Sequence, residues 1–280
     1  MSDLTTINGA ELQELNALLG TEVSGGGTAI ARVPELTINS RSRDKETKKP
    51  IPEGSFYLKN MDQNVYAKSV TFRPLASHIQ YFHWDEIDGV RKLVNKSMAI
   101  ARPRDEARDM LGGIACGYPA WETLKEMEYV DAKKWKTMRH RVTRGLVTYD
   151  GETMDGEKVS IKDQPCIMFH KNSTYGGFWN GFMSKLPKGR NIYEYQATMG
   201  AEYNENGSVV WYTPTYEVDL STSLPLTKEI FDTMGVFADT IKKENTQITD
   251  AYFNSIKEGA IDQKTYDALD ALDNDFEEVA

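Results

Sequence analysis

The sequence predicts a mainly β protein of the α+β class, a β-rich body with helices at both ends. Two observations predict it. Between Val33 and Leu220, short runs of β-branched and aromatic residues recur between turn residues. Apolar residues at helical spacing mark the stretches before Gly20 and after Pro225. A third observation, the placement of charge, bears on function. Residues 265–280 carry six acids and no base, whereas residues 133–192 carry twelve Lys/Arg against five Asp/Glu and are dense in aromatics.

Taken in order, Asn8 precedes a short helix in which Leu12, Leu15, Leu18 and Leu19 share a stripe, and Gly20 stands at its end. Residues 24–27 (SGGG) are a flexible joint, so 1–27 form a first segment. Strands are expected at Leu36–Ile38, Ser55–Leu58, Val65–Phe72 and His78–Trp84, with Ser40–Pro52 as a charged loop and Asp88-Gly89 as a tight turn. Gly112, Gly113, Gly117 and Pro119 make a loop before Ala120–Met138, whose spacing suits a helix. Strands resume at Gly145–Tyr149, Val159–Ile161, Cys166–Phe169, Ile192–Met199 and Val209–Val218. The last two flank the turn at Glu205-Asn206-Gly207, and Pro214 marks an edge or a bulge. Thr227 caps a helix over Lys228–Lys243. Thr246 or Thr249 starts a second through Ile256, and Asp262 caps a third. Residues 28–262 are the body and 263–280 a disordered acidic tail.

The whole chain has 280 residues and a formal charge of −9, but residues 1–264 hold 33 bases and 36 acids, so a local basic patch can dominate its surroundings. No apolar run is long enough to span a membrane, and no signal peptide is visible. With only Cys116 and Cys166, a reducing cytoplasm is the expected setting. No phosphate loop, dinucleotide fingerprint, nucleophile elbow or zincin motif is present, so nothing argues for an enzyme.

Two constellations bear on nucleic acid. Residues 133–144 hold Lys133, Lys134, Lys136, Arg139, Arg141 and Arg144 without an acid, enough for several phosphate contacts. Tyr175, Phe178, Trp179 and Phe182 follow Lys171, interleaved with glycines, and Lys185, Lys188 and Arg190 come next. Exposed rings offer faces to unstacked bases. Phe178 and Phe182 stand four apart, as on the buried side of a short helix, which leaves Trp135, Tyr175, Trp179, Tyr193 and Tyr195 as stacking candidates. Tyr193 and Tyr195 alternate as on a strand, so they share one face. In the tail, Phe276 lies among Asp270, Asp273, Asp275, Glu277 and Glu278, a peptide suited to a basic, apolar pocket on a partner. Cys116, Cys166 and His170 are weak zinc candidates because no paired Cys-x2-Cys accompanies them.

These features resemble the single-stranded DNA-binding proteins of bacteriophage replication systems, on the β-rich middle, the basic-aromatic segment 133–195 and the Phe276-bearing acidic end. Membership would imply an OB-like antiparallel barrel with insertions that coats single-stranded DNA during replication or recombination in the host cytoplasm. It would also imply a tail that recruits a polymerase or helicase and competes with DNA for the groove, with self-association open. Phe276 is followed by four more residues and the chain exceeds a minimal barrel, which departs from that pattern. The alternative expectation is a virion or assembly protein making protein contacts only.

Overall fold

A computed structural model of the chain describes residues 33–44, 47–102, 105, 107–111, 125–128, 138–171 and 174–258. The expected N-terminal helix and joint, Lys133, Lys134, Trp135, Lys136, Cys116 and the acidic tail lie outside them. The strands are β1 (Glu35–Ile38), β2 (Phe56–Lys59), β3 (Val65–Tyr66), β4 (Val70–Ile87), β5 (Val90–Lys96), β6 (Arg139–Thr153), β7 (Lys158–His170), β8 (Ala197–Asn206) and β9 (Val209–Val218). The helices are α1 (Tyr175–Gly181) and α2 (Lys228–Glu258). Among the described residues, the strands form a single curled sheet in the order β2-β1-β7-β6-β4-β8-β9, with β3 added on β6 and β5 on β4. Its pairings are antiparallel except that of β1 with β7, where Glu35 lies beside Ile167.

The expected strands Val65–Phe72 and His78–Trp84 are largely one. Strand β4 runs through Pro74, which has no N–H to give to a ladder, and the register with β6 shifts between Pro74 and Ala76. Opposite Pro74 stands Gly145, where a Cβ would lie 2.3 Å from the Arg73 carbonyl oxygen and 2.8 Å from the Phe72 ring. Only a residue without a side chain lets the two strands approach this closely. A second shift, between Val147 and Tyr149, adds to the bend. The bent strands surround the main core, which includes Leu36, Phe56, Phe72, Val147, Cys166, Met168 and Met199; Phe178 of α1 and Phe182 at its C-terminal cap plug it. The expected buried role of those two rings holds, and they stack at 5.3 Å.

The Asp88-Gly89 turn and Gly207 have positive φ, as the hairpins require. Strand β9 has its expected bounds and lies at the end of the strand order, where Pro214 costs no central ladder bond. Three expectations need correction. The strands expected at Val159–Ile161 and Cys166–Phe169 are one, β7. Residues 192–194 form a 3-10 turn and β8 begins only at Ala197, so Tyr193 and Tyr195 do not alternate on a strand. The first two of the three helices expected after Pro225 are one, α2, of 31 residues, with the Ile230 N–H donating to Thr227 Oγ1 at its start, and the third, capped at Asp262, lies outside the described residues.

Helix α2 covers the face of β4 and β6 turned away from the core. Phe237 packs on Leu75 and Leu146, and Ile248 on Met110. Between them Glu244 pairs with Lys96 and, at 3.6 Å, with Arg144 Nη2. Arg144 Nη1 donates to His78 Nε2 at 2.9 Å. Burial works to raise the Glu244 carboxyl, but Lys96 and Arg144 hold it below its ordinary value. Among the described residues, no helix is long and apolar enough to cross a membrane.

Candidate nucleic-acid interface

Alternation along the strands sorts side chains between two faces. On β1 and β2, Leu36 and Leu58 enter the core, while Glu35 faces Lys59 and Thr37 faces Tyr57 on the other side. On β7, Met168 and His170 turn inward and Phe169 turns out, opposite Val142 of β6. His140 of β6 and Phe82 of β4 share this outer face, their rings edge-on at 4.8 Å, and Phe169 meets Phe82 edge-on at 5.9 Å. The outward side chains of five strands therefore converge beside the start of β6.

They line a groove of about 320 Å³ whose walls include Tyr57, Tyr66, Phe82, Trp84, His140 and Phe169, with Arg41, Lys59 and Lys171 among them. Tyr57 and Tyr66 pack at 5.3 Å, and the Arg91 guanidinium lies 5.7 Å from the centre of the Trp84 ring. Lys171 is depressed chiefly by burial, and Arg91 and Lys59 lower it further while Glu35 opposes them. Burial pushes His140 down to about 4, with Lys171 and Arg91 adding to the effect, so the imidazole is neutral near pH 7. Burial likewise pushes the Tyr57 hydroxyl up to about 12. Two carboxylates temper the positive field: Glu35 pairs with Lys59 at 3.4 Å, and Asp44 accepts from the Thr47 N–H and hydroxyl. Neutral rings with cations at their margin can stack bases and balance phosphates.

A second cluster forms on the inward face of β6, under α1. Arg139 lies 4.0 Å from the centre of the Tyr175 ring, and Arg141 lies 5.4 Å from Tyr175 and 5.8 Å from Trp179. Tyr175 and Trp179 are one helical turn apart, which puts them on the same side of α1. Arg141 is 8% exposed, whereas Trp179 is 48% exposed. Arg141 Nη1 donates to Ser77 Oγ at 3.4 Å and lies 3.9 Å from the Met183 sulfur, and the Tyr175 hydroxyl also supports its guanidinium.

The other residues named from the sequence disperse. Lys171 joins the groove. Arg144, expected to meet phosphate, is buried beneath α2 with Glu244 and His78. Tyr195, expected to stack on bases, is 4% exposed in the main core. Tyr193 is half-buried beside Leu75, Leu146 and Phe237, and its carbonyl accepts from Arg73 Nε. Lys185 Nζ donates to the Tyr216 carbonyl, Arg190 pairs with Glu194 at 3.1 Å, and Lys188 is exposed. Cys166 sits in the core with its thiol pushed up by burial, and His170 stacks on Phe178 at 5.1 Å. Among the described residues, no group of three or more His, Cys, Asp or Glu is arranged to hold a metal.

Tyr57, Tyr66, Phe82, Trp84 and Phe169 escaped sequence reasoning as a site. They come from segments far apart in the chain, and each looks like an ordinary strand residue in its own segment. The unusual density of cations near Trp84 and Lys171 appears only after folding.

Compared with known proteins, the chain matches no protein-family model and no solved structure. It is similar to the cytidine monophosphate-N-acetylneuraminic acid hydroxylase of Danio rerio, 24% identical over 217 residues that cover 71% of this chain and 34% of that protein. The chain thus spans about a third of the length of that curated relative.

Proposed function

We propose that the protein binds single-stranded DNA in the groove between the β1–β2 hairpin and the outward face of β4, β6 and β7. The observation that carries this reading is the set of aromatic walls, Tyr57, Tyr66, Phe82, Trp84 and Phe169, bordered by Lys59, Lys171 and Arg91. Stacking on such rings accepts any base, and the cations neutralise phosphate without reading sequence. The topology supports an OB-like barrel. Strands β4, β6 and β7 are consecutive antiparallel partners and β8 returns beside β4, the spatial order of a Greek key, with β9 as a fifth strand. The groove then falls on the face of the second and third strands, where OB-folds take oligonucleotides. In this reading the protein coats single strands during phage replication or recombination, and its acidic end recruits a polymerase or helicase.

The test is intrinsic tryptophan fluorescence during titration with oligo-dT, at low and high salt and against duplex DNA, on the whole chain and on Trp84→Phe. Quenching that is stronger for the single strand, fades with salt and shrinks in Trp84→Phe is expected. A second reading, an assembly protein making protein contacts only, is favoured by the edge strand β9, where Val209 and Val210 are 61% and 39% exposed. It predicts no response to oligo-dT even at low salt.

A further inference from the structure

We propose that the groove reads the pairing edge of one unpaired base: a base N–H donates to Nε2 of His140 at the groove floor while the aromatic walls hold the ring. The inference rests on the single-strand reading of the groove and names what that groove recognises.

Three observations carry it. The first is the tautomer of His140. Its Nδ1 lies 3.0 Å from the Met138 carbonyl oxygen. A carbonyl oxygen can only accept, so Nδ1 carries the proton and Nε2 presents a lone pair. Burial keeps the ring neutral near pH 7, so no second proton occupies that lone pair.

The second observation is where the lone pair sits. His140 lines the groove and is only 7% exposed, so it stands at the floor rather than the rim. Its ring is steadied by the edge-on contact with Phe82. Among the described residues Nε2 has no hydrogen-bond partner, yet it is not sealed off as the Nε2 of His170 is in the core. Other polar groups of the groove are already committed. The Asn39 amide donates to the Arg41 and Pro52 carbonyls and accepts from the Arg41 N–H, and Glu35 pairs with Lys59. An acceptor held at the floor of an aromatic slot is satisfied best by a ligand that brings a donor.

The third is size. At about 320 Å³ the groove is near the lower end of the roughly 300–1,000 Å³ of pockets that enclose small ligands. Its walls include the flat rings of Tyr57, Tyr66, Trp84 and Phe169. Such a slot takes one base edge-first, with its faces against the rings and its pairing edge toward His140. In a duplex that edge is bonded to the complementary base. The contact therefore selects for single strands, which stacking rings and marginal cations alone do not. Every base carries an N–H on its pairing edge, so sequence is not selected.

The experiment compares oligo-dT with the same oligonucleotide built from N3-methylthymidine, which keeps the ring and the phosphates but has no N–H on its pairing edge. Both are titrated against the full chain, His140→Phe and Trp84→Ala, and thermal unfolding establishes that each variant is folded. Methylation is expected to weaken binding to the parent about five-fold or more. His140→Phe should bind oligo-dT more weakly than the parent and bind the two oligonucleotides within about two-fold of each other. Trp84→Ala should weaken both while still telling them apart. If the parent binds the two alike, or His140→Phe discriminates as the parent does, the edge contact is overturned and the stacking groove stands. Should His140→Phe fail to fold, the comparison on the parent still decides, since equal binding there overturns the contact. If the parent binds neither oligonucleotide, both readings fall together.

Discussion

At the scale of single residues, the structure separates side chains that look alike in the sequence. Arg139, Arg141 and Arg144 are spaced along one strand, yet the first two meet aromatic rings under α1 and the third meets Glu244 beneath α2. The cause is the two-residue period of a strand, which sends odd and even positions to opposite faces. Among the described glycines, Gly145 is the one where an added Cβ would meet the nearest atom. Gly145→Ala would press a methyl into the Arg73 carbonyl, and an overpacking cost of roughly 1–3 kcal/mol is expected, read as a lower urea midpoint at unchanged m-value. Trp84→Ala should weaken oligo-dT binding by about 1–3 kcal/mol, the contribution of one stacked base, with the thermal midpoint nearly unchanged because the side chain is only half-buried.

At the scale of elements, α2 is held more by polar contacts than by its apolar stripe. Among the described residues it buries only Phe237 and Ile248, and its docking depends on Glu244 and on Asn245, which accepts from the Ala99 N–H and donates to the Ala99 carbonyl. Glu244→Ala removes the carboxylate that Lys96 and Arg144 both face. A loss of about 3–5 kcal/mol is expected by chemical denaturation, with amide exchange rising first in α2. This docking also explains why the sequence suggests two helices where one exists. Thr246 looks like a new cap, but the helix runs on through it while Asn245 beside it is spent on Ala99, in the segment after β5. Pro74 misleads in the same way, since a bulge absorbs the missing donor and β4 continues. Elements set by local chemistry were legible: the Asp88-Gly89 and Gly207 turns, the bounds of β9 and the buried pair Phe178 and Phe182. The groove was not, apart from Lys171, because its rings are assembled by pairings between distant strands.

At the scale of the whole molecule, three histidines link stability to acid. Burial pushes His78 and His170 down to about 3 and His140 to about 4, whereas in the unfolded chain each titrates near 6.5. Between those values the unfolded state binds more protons, so stability is full above about pH 6.5 and falls as the pH drops toward 4 and 3. The urea midpoint should therefore be lower at pH 5 than at pH 7. On the proposed reading the acidic end competes for the groove, so removing residues 267–280, which carry all six of its acids, should tighten oligo-dT binding at low salt and have little effect at high salt. The parallel pairing of β1 with β7 has a kinetic consequence. One wall of the groove is made early in the chain and the other late, and they meet only through contacts of long sequence separation, the slow kind to form. During refolding, the far-UV signal should recover before the capacity to bind oligo-dT, so a newly made chain passes through an interval in which its strands exist and its groove does not.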